Sequence, residues 1–192
     1  MIQGIILDMD GTVTEPIIDF PAMRAEIGVP PDSTIIDYIE GLPKAQAEEK
    51  YEILLSIERD AAEASTLNGG VEVLLDELIT RRVKTALVTN NHRWAMEYVV
   101  EKHGLRFDTM LSRDDGVLKP SPDLVERAMS ALDLTTDQVV GLGDGRYDLE
   151  SCAAAGVRFI YLTNGDRRLD HQPAVERLTE VIPLLEAMGP LP

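Results

Sequence analysis

The stretch Gly4-Ile5-Ile6-Leu7-Asp8-Met9-Asp10-Gly11-Thr12 decides the fold. A short apolar run that stops at an acidic residue has the pattern of a strand buried on both faces, as in a parallel sheet covered by helices. The same pattern recurs at Val83 to Val88, at Gln138 to Leu142 and at Val157 to Tyr161. Gly70 to Arg82 carries Val71, Leu74, Leu75, Leu78 and Ile79 at helical spacing, and helical segments also precede the two later strands. Strands alternating with helices of this length predict an α/β fold, a Rossmann-like parallel sheet sandwiched by helices with right-handed crossovers. In such sheets the ligand crevice lies outside the carboxyl ends of the strands.

Between Glu15 and Leu67 strand-like runs are absent. Pro21 to Ile27, Thr34 to Glu40 and the Ala- and Glu-rich Pro43 to Ala64 read as helices. Inserted after the first strand, this block predicts a small all-helical cap over 15–67, with a core made of 1–14 and 68–192. Asn68-Gly69-Gly70 reads as a hinge back into the core. The tail from Pro173 predicts a short strand near Ala174-Val175, then a helix opened by Thr179-Glu180.

Composition limits the partners. The chain has 192 residues, of which 34 are Asp or Glu and 18 Lys or Arg, for a net charge of −16. With no visible basic concentration, nucleic acid is a poor partner. The single cysteine, Cys152, excludes an internal disulfide and a Cys/His zinc cluster and favours a reducing compartment. No run approaches the roughly 18 uninterrupted apolar residues of a spanning helix, and the amino terminus lacks the pattern of a secretory leader. The expectation is a cytoplasmic monomer or small homo-oligomer with no membrane role.

Polar residues follow four predicted strand ends. The first delivers Asp8 and Asp10, which share a face if the chain stays extended. The second delivers the hydroxyl of Thr89 and the amides of Asn90 and Asn91, the third Lys119-Pro120, and the fourth Asp144 and Asp148 among glycines. Two pairs of carboxylates, a hydroxyl and a lysine make a set that can hold a divalent cation and a phosphoryl group. Mg²⁺ prefers oxygen ligands and leaves places for water and phosphate. The metal and Lys119 would offset the repulsion between carboxylates and a phosphate dianion.

With these motifs in this order, the chain from Ile5 to about Gly165 resembles the haloacid dehalogenase superfamily of phosphohydrolases, in particular its phosphoglycolate phosphatase-like branch. The resemblance implies that Asp8 is the nucleophile that becomes an aspartyl phosphate, and that Asp10 is the general acid and then the base. It makes Thr89 and Lys119 binders of the phosphoryl oxygens, with Asn90 beside them. It implies Mg²⁺ held by the Asp8 carboxylate, the Asp10 backbone carbonyl and the Asp144 carboxylate, with Asp148 in support. An acid at position 10 disfavours dehalogenation, and Met9 with no evident cap lysine disfavours phosphonate cleavage. The expected substrate is a small-molecule phosphate ester of the phosphoglycolate or sugar-phosphate type.

Other readings remain open at this stage. A phosphomutase of the same superfamily would share every motif. A signalling receiver domain also gathers carboxylates, a Thr and a Lys around Mg²⁺, but the resemblance there implies an adjacent acidic pair rather than the alternation at Asp8 and Asp10. A catalytically silent metabolite-binding protein would have no need of the full polar set. A calcium loop fails at Val13, where glycine is required. In the cap, Arg24 is expected to face the crevice and to read a substrate carboxylate or second phosphate.

Overall fold

A computed structural model describes all 192 residues. The sheet has six parallel strands, β1 (Gly4–Leu7), β2 (Lys84–Val88), β3 (Thr109–Leu111), β4 (Val139–Gly143), β5 (Arg158–Leu162) and β6 (Ala174–Val175), in the order β3-β2-β1-β4-β5-β6. The chain therefore winds outward from β1 in one direction and, from β4, in the other. The order reverses between β1 and β4, so the crevice of a doubly wound sheet falls at their carboxyl ends.

Alternate side chains along each strand face opposite layers. Ile5, Leu7, Leu87, Val140, Leu142, Ile160 and Leu162 join one buried cluster, which includes residues of the helices α4 (Val71–Thr80), α5 (Arg93–Lys102) and α8 (Val181–Met188). Ile6, Ala86, Val88, Val139, Phe159 and Tyr161 join the other, with residues of α6 (Asp123–Leu132) and α7 (Arg146–Ala154). Cys152 lies in the second layer, and burial pushes its thiol up to about 12.

The block after β1 is helical, as the sequence predicts: α1 (Phe20–Ile27), α2 (Ile35–Glu40) and α3 (Lys44–Ala64). The Asp19 carboxylate caps α1 by accepting from the Ala22 N–H at 2.9 Å, and the Thr34 hydroxyl caps α2 from outside it. Met23, Ile27, Ile39 and Leu54 form a small separate cluster among these helices. The two connections run side by side: Thr14 bridges Leu67, Glu15 N–H donates to the Thr66 carbonyl, and Asn68 N–H donates to that of Val13.

Three departures from the sequence reading concern local signal. Strand β3 and helix α5 carry no prediction, and β3 is a three-residue half-buried segment too short to show a period. Strands β4 and β5 sit one residue later than predicted, because Gly143 and Leu162 continue the ladder. Lys119 does not follow a strand end: β3 stops at Leu111 and Lys119 lies in the loop leading to α6. The carboxyl-terminal strand is where it was expected, and the helix after it opens with a 3₁₀ turn over Leu178–Glu180.

Candidate active site

The site grows from the end of β1. Asp8 N–H still donates to the Leu142 carbonyl of β4, and then the chain folds on itself. The Met9 carbonyl accepts from the N–H groups of Thr12, Val13 and Thr14, so strand geometry does not persist to Asp10 as the alternation argument assumed. Gly11 makes this turn possible. Its φ is +84°, and a Cβ there would lie 2.4 Å from an Asp144 carboxylate oxygen. The Gly11 carbonyl is held from the other side by the side-chain amides of Asn164, at 2.6 Å, and Asn68, at 3.3 Å. Asn68, expected only as part of a hinge, is thus a clamp on the turn, and it also bonds Asn164 at 3.0 Å.

Asp8, Asp144 and Asp148 bring carboxylate oxygens within 4.8 Å of one another. Lys119 closes the group, its ammonium donating to Asp8 and to Asp148, both at 2.6 Å, and to the Val88 carbonyl at 3.1 Å. Asp148 also accepts from the Gly145 N–H at 3.1 Å at the start of α7, and close packing of its side chain on Gly143 leaves no room for a Cβ there. Asp144 accepts from the Arg168 guanidinium at 2.8 Å. Asp10 stands apart from Lys119's hydrogen bonds and accepts from the Asn91 side chain at 2.7 Å. Thr89 is buried at the end of β2, its hydroxyl accepting from the Asn91 N–H.

The electrostatics reflect the crowding of charge in a buried place. Burial, and after it the Asp148 charge, pushes the Asp8 carboxyl well above the usual range despite Lys119. Burial pushes Asp10 up to about 6, against the Asn91 hydrogen bond and the Lys119 charge. Asp144 is likewise raised, by burial first and then by Asp148. Burial works against the charge of Lys119, but Asp148 and Asp8 outweigh it and hold the ammonium above its ordinary range.

Asp8, Asp144 and Asp148 outnumber the Lys119 ammonium and the Arg168 guanidinium that meet them, and this excess of negative charge adds to burial in disfavouring the ionised form of Asp8. An all-oxygen donor set of this size suits a hard divalent cation, whose positive charge would favour the ionised form of Asp8. The Asp10 carbonyl accepts none of the turn's main-chain hydrogen bonds and so remains a free donor oxygen. The Thr12 hydroxyl in the same turn is the one buried side-chain polar atom left without a partner.

Two expected binders have protein partners of their own. The Asn90 side chain is occupied by the Lys119 main chain, donating to its carbonyl at 2.8 Å and accepting from its N–H at 2.9 Å. It positions Lys119, with one of the two amide N–H donors engaged on that main chain. Arg24 is held within the cap, its guanidinium donating to the Pro30 and Ser33 carbonyls at 2.5 and 3.0 Å, not to the carboxylate cluster. Asn68, Asn91, Asn164, Arg168, and the pair Glu58 and Arg113 were not assigned site roles from sequence. Only Asn91, adjacent to Thr89 and Asn90, carried a usable signal.

Fold and site together define a class: doubly wound α/β enzymes that gather carboxylates where the strand order reverses. Comparison with known proteins gives the family. The family model described as haloacid dehalogenase-like hydrolase matches residues 22–162, and the chain belongs to that family. It is 29% identical over 180 residues to N-acetylmuramic acid 6-phosphate phosphatase of Pseudomonas putida, covering 82% of this chain and 81% of that one. It is 26% identical over 189 residues to a phosphoglycolate phosphatase of Cereibacter sphaeroides, covering 85% and 86%. The crystal structure of a hydrolase from Pseudomonas syringae superposes with a TM-score of 0.80 at 18% identity, over 98% of this chain and all of that one, which bears on the fold alone. The protein is a hydrolase of this family, and none of its helices is long and apolar enough to cross a membrane.

Proposed function

We propose that the protein is a Mg²⁺-dependent phosphatase that hydrolyses a small phosphorylated metabolite through an aspartyl phosphate on Asp8. One observation carries the reading: Lys119 reaches Asp8 and Asp148 at 2.6 Å each, joining three separate sequence motifs in one buried group that also contains Asp144. In the first half-reaction the Asp8 carboxylate attacks phosphorus and the bond to the ester oxygen breaks. The Asp10 carboxylic acid gives its proton to that departing oxygen. In the second, the Asp10 carboxylate takes a proton from water, whose oxygen attacks phosphorus and frees Asp8 and inorganic phosphate.

A carboxyl raised to about 6 is protonated roughly a tenth of the time at pH 7, far more than an ordinary carboxyl, as the donor step requires, while Asp8 must be ionised. Asp8, Asp144, the Asp10 carbonyl and, as support, Asp148 would hold Mg²⁺. Bound there, the ion would supply positive charge that favours ionised Asp8 and offsets its repulsion of the phosphoryl group. Lys119 and Thr89 stabilise the transferring oxygens.

The reading includes residues 15–67 as a cap over the site, on a core of 1–14 and 68–192, in a cytoplasmic enzyme. The two named relatives act on different phosphate esters, so identity at this level leaves the leaving group open. A panel of phosphorylated metabolites, assayed for orthophosphate release with and without Mg²⁺, tests the proposal. Release that needs Mg²⁺ and vanishes in Asp8→Asn supports it. Isomerised sugar phosphate without orthophosphate would make the protein a phosphomutase, and no turnover of any ester would remove the catalytic reading.

A further inference from the structure

The cap meets the core at a buried ion pair. Glu58 lies on α3 and Arg113 on the loop after β3, and their side chains are only 4% and 5% exposed. The guanidinium spans both carboxylate oxygens, at 2.6 and 2.9 Å. It lies 5.2 Å from the centroid of the Tyr51 ring and donates to the Tyr51 hydroxyl at 3.3 Å, so the cap holds it by two residues of one helix. The remaining contacts point into the site. Arg113 Nη1 donates to the Asn90 carbonyl at 3.3 Å, its main-chain N–H donates to the Asn91 carbonyl at 3.1 Å, and Glu58 accepts from the His92 N–H at 3.2 Å.

That stretch, Asn90 to His92, is the one that arranges the chemistry. The Asn90 side chain fixes the Lys119 main chain on both its N–H and its carbonyl, and the Asn91 side chain fixes Asp10. An unbroken line of contacts therefore runs from α3 through Glu58 and Arg113 to Asn90 and Lys119, with Asp10 one residue to the side. We propose that Glu58 and Arg113 are positioning residues that set Lys119 and Asp10 in register with the seated cap, so that the site is fully formed only when α3 is docked. This extends the phosphatase reading and rests on it for its kinetic consequence.

A simple staple would use the same two residues, and the distinction lies in how a paired removal behaves. Breaking one partner of a buried pair strands a charge, whereas replacing both by apolar residues of similar volume is often neutral for stability. A staple is restored by the double replacement; a positioning device is not, because the bond to the Asn90 carbonyl stays lost.

The test compares wild type, Glu58→Leu with Arg113→Met, and Arg113→Lys, on 4-nitrophenyl phosphate with Mg²⁺ and by amide hydrogen exchange. The expected double variant melts within a few degrees of wild type, loses roughly tenfold or more in kcat with KM changed less than about threefold, and exchanges faster over residues 89–92. Arg113→Lys keeps the charge without the two-pronged grip, and should lose several-fold in kcat while staying folded. A folded double variant with wild-type kcat and exchange would overturn the proposal. If the double variant does not fold, wild-type kcat and exchange in Arg113→Lys would overturn it equally. Exchange needs no substrate, so a wild type inert toward every ester would fail the phosphatase reading while the coupling is still judged on residues 89–92.

Discussion

At the carboxyl edge of the sheet, Asp8, Asp144, Asp148 and Lys119 converge from β1, β4, α7 and the loop before α6, each backed by strands buried on both faces. Among α1, α2 and α3, by contrast, the separate buried cluster has only four members, and Phe20 on α1 and Ile17 just before it are half-exposed. A close-packed sheet fixes side chains to fractions of an ångström, which chemistry on phosphorus demands. A small, thinly cored helical block has fewer buried contacts to hold it, and on the proposed function it would be the part that moves to admit substrate and release product. On the function proposed above, the contrast leaves reaction type to the core and selection of the leaving group to the cap.

Substitution should separate these assignments by size of effect. Asp8→Asn removes the proposed nucleophile, and turnover should fall by ~10⁴-fold or more with the fold retained, as read by orthophosphate release and circular dichroism. Retained turnover would place the chemistry outside the core edge.

Asp10→Asn should lower kcat by about 10²- to 10⁴-fold, the usual worth of a positioned acid and base. The same variant carries a stability signature. The folded carboxyl is raised from 3.8 to about 6, so its favourable contribution is complete below the unfolded value and is lost as pH climbs through the folded one. In metal-free protein, thermal melts of Asp10→Asn against wild type should show the variant gaining up to about 3 kcal/mol in relative stability between pH ~4 and pH ~7. A flat difference would mean that Asp10 is not held raised.

Gly11→Ala puts a methyl group against the Asp144 carboxylate on a backbone that L-residues adopt at a penalty of roughly 1–2 kcal/mol. Displacing one member of the carboxylate set should weaken Mg²⁺ binding by about 10- to 100-fold in calorimetric titration, the scale set by losing a residue that orients metal ligands. Undiminished affinity would show that Asp144 is not a ligand.

The smallest effect is expected in the cap. Arg24→Ala removes two hydrogen bonds to the Pro30 and Ser33 carbonyls, so it should lower stability by about 1 kcal/mol and leave KM within twofold. A large rise in KM for an ester that carries a second anion would return Arg24 to the crevice and sharpen the cap's role in selection.

The motifs were readable because their neighbours in sequence set their surroundings. Apolar runs before Asp8, Thr89 and Asp144 announce strands, and a parallel sheet delivers the residues beyond each strand end to one edge. Asn90 looked like a ligand for that reason, and became a brace on Lys119 because the loop carrying Lys119 comes to it from elsewhere in the chain. Asn164 gave no local sign of its bond to the Gly11 carbonyl, 153 residues away.

Glu58 was indistinguishable in sequence from the solvated acids of a long Ala- and Glu-rich helix, and Arg113 from a loop cation. Sequence alone determined the alternation of buried strands and helices, the helical insertion and the polar residues at strand ends, since these depend on periodicity and on residues a few places apart. The tertiary structure decided which polar groups share a charge, which amides brace the backbone and how the helical block grips the core. Those outcomes depend on burial and on meetings between distant segments, and neither has a period that a chain of letters can carry.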